Sequence, residues 1–390
     1  MNDHPAEILP ARVLHVGRPN LVGRDRFLGY VGQILDDLRF TNRGPLVDLF
    51  ERRIAEHLGV AHCVVTSNAT LALSLAAQAM GLTGSVIVPA FTFVASAHTM
   101  HGNGLRVIFA DVDPDTHHID VDRLEACLAP DTSAVLAVNL WGNPCRIREL
   151  EAFCAKHGLK LLFDSAQAFG STYEGRRLGG FGDAEVFSFH ATKAINSFEG
   201  GAITTNDAEL AARLRLLINF GFSDEDCVDD WGTNAKMPEV CAAMGLSSLE
   251  GLETVFSHNR RIFGIYAELL EGLPGLTLQP YGAGEEAAHH YVVLRIDDAL
   301  PVSRDALLAR LRAARVMARR YFHPGCHRSE PYRSMPIYEG VSLPVTEDLC
   351  QRLLCLPTGL AIERPDVAAI CAIITAAAQP GPDAPSANGV

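Results

Sequence analysis

The stretch Phe187–Gly201, FSFHATKAINSFEGG, decides the fold. It sets one lysine, Lys193, between an apolar β-like run, Ala184–Phe189, and a Glu-Gly-Gly turn. Upstream, the run LKLLFD has a buried-strand pattern that ends on an aspartate, Asp164. A lysine amine can form a Schiff base with an aldehyde, and a carboxylate can hold a pyridine nitrogen protonated so that the ring draws electrons. Lysine and aspartate at the ends of two buried strands is the layout of a pyridoxal phosphate (PLP) site. Lys193 alone would read as an exposed loop lysine, so the weight falls on its surroundings.

Working outward, strand patterns AHCVVTSN, SVIVP, RVIFADV, SAVLAVNLWG, LKLLFD, EVFSF and AITTN alternate with helical ones. The latter include Pro45–Leu58, Thr70–Met80, VDRLEACL and IRELEAFCAKHG, with apolar residues at helical spacing. Alternation with strands apolar on both faces predicts an α/β fold, a mostly parallel sheet flanked by helices, with ligands at the carboxyl ends of its strands. After about residue 245 the texture changes. A long helical pattern, Leu249–Leu273, leads to LTLQPY, HHYVVLRI, DALLARLRAA and a last helix, Val367–Ala378, which reads as a smaller C-terminal α+β domain. The expected division is residues 1–245, an N-terminal segment and large PLP-binding domain, then 246–378, the small domain, then a disordered tail, 379–390, rich in Pro, Ala, Ser and Gly.

The balance of the 390 residues narrows the function classes. The chain is 48% hydrophobic with a net charge of −13, which suits a large core and argues against nucleic acid as main partner. Its ten cysteines are scattered with no CxxC pair, so neither a disulfide framework nor a metal site is expected, and free thiols fit a cytoplasmic location. The N-terminus lacks a basic region followed by an apolar run, and no stretch is apolar enough to span a membrane.

Other residues add to the site. Ser67, Asn68, Ala69 and Thr70 stand at a strand-to-helix turn, where helix amides can hold a phosphate, although such residues are often plain caps. Ser188, at a strand end, reads either as a second phosphate ligand or as a routine strand serine. Gln167 is placed to bond a phenolic oxygen of the cofactor. Of Phe91 and Phe93, one suits stacking on the pyridine ring and the other the core.

Together these residues resemble the DegT/DnrJ/StrS sugar aminotransferases, of the aspartate-aminotransferase fold (PLP fold type I). The resemblance runs from about Val16 to Ala376 through TSNATLAL, VPAFTFVASA, DVDPDTHHID, DSAQAFGS, GDAEVFSFHATKAINSFEGGAITTND and GTNAKMPEVCAAMGLSSLE. It implies that Lys193 carries the cofactor, Asp164 pairs with its ring nitrogen and Gln167 lies close by. It further implies that Phe93 stacks on the ring and that Asn68, Ala69, Thr70 and Ser188 bind the phosphate. Asn234 would reach that phosphate from the partner subunit of a homodimer with shared active sites. Two positions depart from many relatives, Asn139 in place of His and Lys236 in place of Arg, and both exchanges bear on substrate or interface geometry.

The resemblance implies a PLP-dependent transaminase moving an amino group from an amino acid, L-glutamate, to a nucleotide-linked keto sugar. The segment ARRYFHPGCHRSEPYR (Ala318–Arg333) is similar to the branch acting on dTDP-4-dehydro-6-deoxyglucose, and its basic and aromatic residues suit either a diphosphate and nucleoside or a solvated face. A cyclitol or another secondary-metabolite ketone is the alternative acceptor, because only the substrate pocket would differ. A PLP-binding regulator without turnover is the alternative class, disfavoured because no basic helix-turn-helix segment precedes Val16.

Overall fold

A computed structural model of the chain describes residue 10 and residues 12–282 and 284–379. A seven-stranded sheet organises the larger part: β1 (His62–Thr66), β2 (Ser85–Pro89), β3 (Arg106–Ala110), β4 (Thr132–Val138), β5 (Lys160–Asp164), β6 (Ala184–Ser188) and β7 (Gly201–Thr205). The spatial order is β1-β7-β6-β5-β4-β2-β3. Every pairing is parallel except those of β7, which runs antiparallel to both β6 and β1. Only a loop, without a crossover helix, joins β6 to β7, so the chain must come back in the opposite direction. That loop carries Lys193.

Helices cover both faces, which is why β2, β6 and β7 are buried along their whole length. In chain order they begin with α1 (Arg24–Asp37), α2 (Pro45–Leu58), α3 (Ala69–Ala79), α4 (Val94–Gly102), α5 (Ile147–His157), α6 (Ala208–Leu217) and α7 (Glu239–Glu250). One core joins α3, α4 and α6 to the sheet through residues such as Leu73, Met100 and Leu214; the opposite core joins α2, α5 and α7 through Phe50, Leu150 and Leu246. Helix α2 matches its predicted span because local signals mark both ends. Pro45 opens it, and Gly59, at φ 70°, closes it with its amide on the Ala55 carbonyl.

A second sheet is antiparallel: β8 (Leu276–Leu278), β9 (Val292–Ile296) and β10 (Leu353–Leu356). Helices α8 (Leu252–Leu270), α9 (Arg304–Ala313), α10 (Pro344–Arg352) and α11 (Arg364–Ala378) follow in this half of the chain. Its core includes Ile262, Tyr266, Leu307, Leu354 and Ile370. Leu14–His15 pairs in parallel with Val316–Met317, so the start of the described chain lies beside this half.

Three local expectations change. The single helix expected over Leu249–Leu273 is two helices, α7 and α8, parted at Gly251, where a Cβ would come within 2.6 Å of the Val22 side chain. The expected domain boundary after residue 245 therefore falls inside α7. The run VDRLEACL forms a 3-10 helix, Val121–Cys127, rather than an α-helix. Among the described residues no helix is long and apolar enough to cross a membrane. The tail expected to be disordered lies, from residue 380 onward, outside the described residues.

Candidate active site

Sheet register assembles the site. Val138 and Asp164, at the carboxyl ends of β4 and β5, lie in register with Val186 in the middle of β6, while Gly201 at the start of β7 lies between Ser188 and Thr66. The turns leaving these strands hold the residues singled out above, where a mostly parallel sheet opens its ligand crevice.

Asp164 is buried. Its carboxylate accepts hydrogen bonds from the Ser96 hydroxyl (2.7 Å) and the Ala166 amide (3.1 Å), and forms no ion pair among the described residues. Burial pushes its pKa up, and the Ser96 and Ala166 bonds and the charge of Lys193 oppose this. Lys193 shows the mirror image: burial pulls its pKa down, and Asp164 and Tyr321 oppose. The amine donates a hydrogen bond to the Tyr291 hydroxyl at 3.0 Å. The site thus pairs a carboxylate short of a cation with an amine whose neutral form burial favours.

Gln167 follows Asp164 on the same turn. Its Oε1 accepts from the Trp141 amide at 2.8 Å, so its NH2 end is left to donate, the polarity that a phenolate oxygen needs. Phe91 belongs to the core, edge-on to Trp141 and Phe322, whereas Phe93 just before α4 is 59% exposed.

Asn68 caps α3, with its Oδ1 accepting from the Leu71 amide at 2.8 Å. The amides of Ala69 and Thr70 belong to the first turn, where no intrahelical carbonyl serves them. Gly201 lets this turn come close: a Cβ there would stand 2.6 Å from the Ala69 nitrogen. Ser188 borders the same place from β6, and its Oγ accepts a long contact, 3.4 Å, from the His190 amide. A helix start pressed against a glycine strand, an uncovered aromatic, a half-buried amine and a buried carboxylate fit the phosphate, ring, aldehyde and ring nitrogen of PLP.

Asn234 is exposed and bridges Asn219 through the backbone, while the adjacent Ala235 carbonyl accepts from the Ser67 amide. Within this chain it bonds neither Lys193 nor Asp164. Lys236 donates to Asn219 at 2.8 Å and lies over the Phe220 ring. Asn139 proves to be wholly buried, with its Nδ2 donating to the Ser165 hydroxyl (2.8 Å) and its Oδ1 accepting from the Cys145 amide (2.8 Å). In this chain it therefore braces the turn that follows Asp164. Ser96, His290 and Tyr291 escaped the sequence reading. Each lies far along the chain from its partner, and none carries a local signal beyond an ordinary helix or strand residue.

Fold and site define the class: this chain is a PLP-dependent aminotransferase. The model of the DegT/DnrJ/EryC1/StrS aminotransferase family matches residues 23–375, and the chain belongs to that family. Among curated relatives, it is 34% identical to dTDP-4-amino-4,6-dideoxy-D-glucose transaminase of Escherichia coli, over 89% of this chain and 94% of the relative. It is 33% identical to GDP-perosamine synthase of Caulobacter vibrioides, over 93% and 97%. Among solved structures, DesI in the presence of its TDP-sugar product superposes with a TM-score of 0.91 at 46% identity, over 95% of this chain and 94% of DesI.

Proposed function

We propose that this enzyme transfers an amino group from L-glutamate to C4 of dTDP-4-dehydro-6-deoxyglucose, as a cytoplasmic homodimer with shared active sites. The observation that carries the acceptor is the likeness to DesI, a structure with a TDP-sugar product, at 46% identity along nearly the whole chain. The lower identity to a GDP-sugar enzyme makes the nucleotide the first point to test.

In this reading the first turn of α3 and Ser188 hold the cofactor phosphate, Phe93 covers one face of the ring and the Gln167 NH2 donates to its phenolic oxygen. PLP supplies the aldehyde that carries the amino group and the ring that draws electrons from the bond being broken. Asp164 provides the fixed negative charge facing the ring nitrogen, and a cation there offsets its burial. Lys193 Nζ takes a proton from the donor's α-carbon and returns it one position away, which a neutral amine can do and an ammonium cannot. The second half, with the keto sugar as acceptor, uses the same groups in reverse. In this reading Tyr321, which acts on Lys193, and Arg319, whose guanidinium lies over the Tyr321 ring, meet the sugar nucleotide.

Exposed aromatics on segments near the site support a second copy as partner, among them Phe198, Phe220 and Trp231, the last 89% exposed. Asn234, exposed nearby, reaches the partner's phosphate in this reading. Mixed Lys193→Ala and Asn234→Ala subunits then recover activity that neither homodimer has, because both lesions fall in one site of the heterodimer. Recovery absent from heterodimers verified by native mass spectrometry refutes the shared site. For the acceptor, kcat/KM across dTDP-, GDP- and UDP-linked keto sugars with L-glutamate should be highest for dTDP-4-dehydro-6-deoxyglucose. Preference for a GDP sugar, or for a cyclitol ketone, overturns the assignment.

A further inference from the structure

His290 and Tyr291 are neighbours at the entry to β9, on the second sheet, yet both grip the lysine loop of the first. The buried His290 ring donates from Nε2 to the Thr192 carbonyl at 2.6 Å. Tyr291 receives the Lys193 amine at 3.0 Å. Successive residues thus bond successive residues, one through the backbone and one through the amine.

Tyr291 is itself fixed from several sides. Its ring packs on Trp141, with centroids 5.6 Å apart. Its carbonyl accepts from the Tyr281 hydroxyl at 2.7 Å, and its amide donates to the same oxygen at 3.2 Å. Burial raises its pKa, so the phenol stays protonated and neutral beside the lysine. Burial also holds His290 down at about 4, so at neutral pH it puts no second cation there. A free lysine side chain has about 2 kcal/mol of rotamer entropy, and a fixed hydroxyl within reach narrows where its nitrogen rests.

We propose that Tyr291 is the resting partner of the Lys193 amine, a catalytic residue that holds Nζ in place whenever the lysine is not bonded to the cofactor. The anchor from His290 to Thr192 sets the reach of that side chain. This deepens the reading of Lys193 as the cofactor lysine and rests on it.

The test uses cofactor-free protein and trinitrobenzenesulfonate, with Lys193 modification followed by peptide mass spectrometry. Tyr291→Phe removes one hydroxyl and keeps the ring, and should speed Lys193 modification about tenfold, the scale of one lost bond to an ionisable amine. In the loaded enzyme the same variant should lower kcat about tenfold with KM for both substrates nearly unchanged, as for a group that acts on the reacting nitrogen and not on binding. Tyr281→Phe removes a hydroxyl that bonds only the backbone of Tyr291, and should change the modification rate far less than Tyr291→Phe does. Wild-type reactivity of Lys193 in Tyr291→Phe, or an equal change in Tyr281→Phe, overturns the proposal. Added PLP should shield Lys193 from the reagent. Failure of that shielding would instead count against Lys193 as the cofactor lysine.

Discussion

Two buried carboxylates, Asp164 on β5 and Glu185 on β6, stand on adjacent strands beneath the crevice, and burial raises the pKa of both. They differ in what surrounds them. Glu185 accepts from the Ser165 hydroxyl (2.7 Å) and from the amides of Gly179 and Phe181, all fixed protein groups that tie the loop before β6 to the sheet. Asp164 accepts from Ser96 and Ala166, and the cation that acts on it is the side chain of Lys193. Burial of an acid therefore does not mark an active site. What separates the two is whether the protein's own fixed groups complete the carboxylate or leave a place for a cation.

The largest effect expected from this contrast is on stability at Glu185. Its carboxyl is raised from 4.5 to about 7, so the contribution of the protonated form is complete below pH 4.5 and is lost as pH rises through about 7. Glu185→Gln cannot ionise, and should gain on wild type by on the order of 3 kcal/mol across that window, read by urea unfolding at both ends. Its turnover should stay close to wild type. A constant stability difference would erase the distinction drawn here.

Asp164→Ala should reverse the pattern. Turnover falls at least about a hundredfold, roughly 2.7 kcal/mol of barrier, while the cofactor-free protein loses no stability, because a buried carboxylate without an ion pair has been removed. Near wild-type turnover would place Asp164 with Glu185 as a structural acid.

Legibility in the sequence follows the same contrast. The places of Asp164, at the end of β5, and of Lys193, in the loop after β6, could be read because each closes a local pattern, an apolar run ending on a charge or a lysine before a glycine turn. The mostly parallel sheet could be read from the alternation of apolar strands and helices, and α2 from its apolar residues at helical spacing. Glu185 could not be read as buried and bonded, since within EVFSF it looks like the polar end of a strand. The Ser96 bond to Asp164 spans 68 residues and the Tyr291 bond to Lys193 spans 98, and neither leaves a mark in its own neighbourhood. The break between α7 and α8 was hidden for a related reason: Gly251 parts them where the N-terminal segment packs, at Val22, and a periodicity count does not register that contact.

The central claim is that Lys193 bears the cofactor opposite Asp164. Borohydride reduction of the PLP-loaded enzyme, followed by peptide mapping, tests it most directly, since it fixes the cofactor covalently to the lysine that carries it. The account predicts one labelled peptide, spanning FSFHATKAINSFEGG and modified at Lys193. A label on any other lysine, or none on a protein that has taken up PLP, would contradict it.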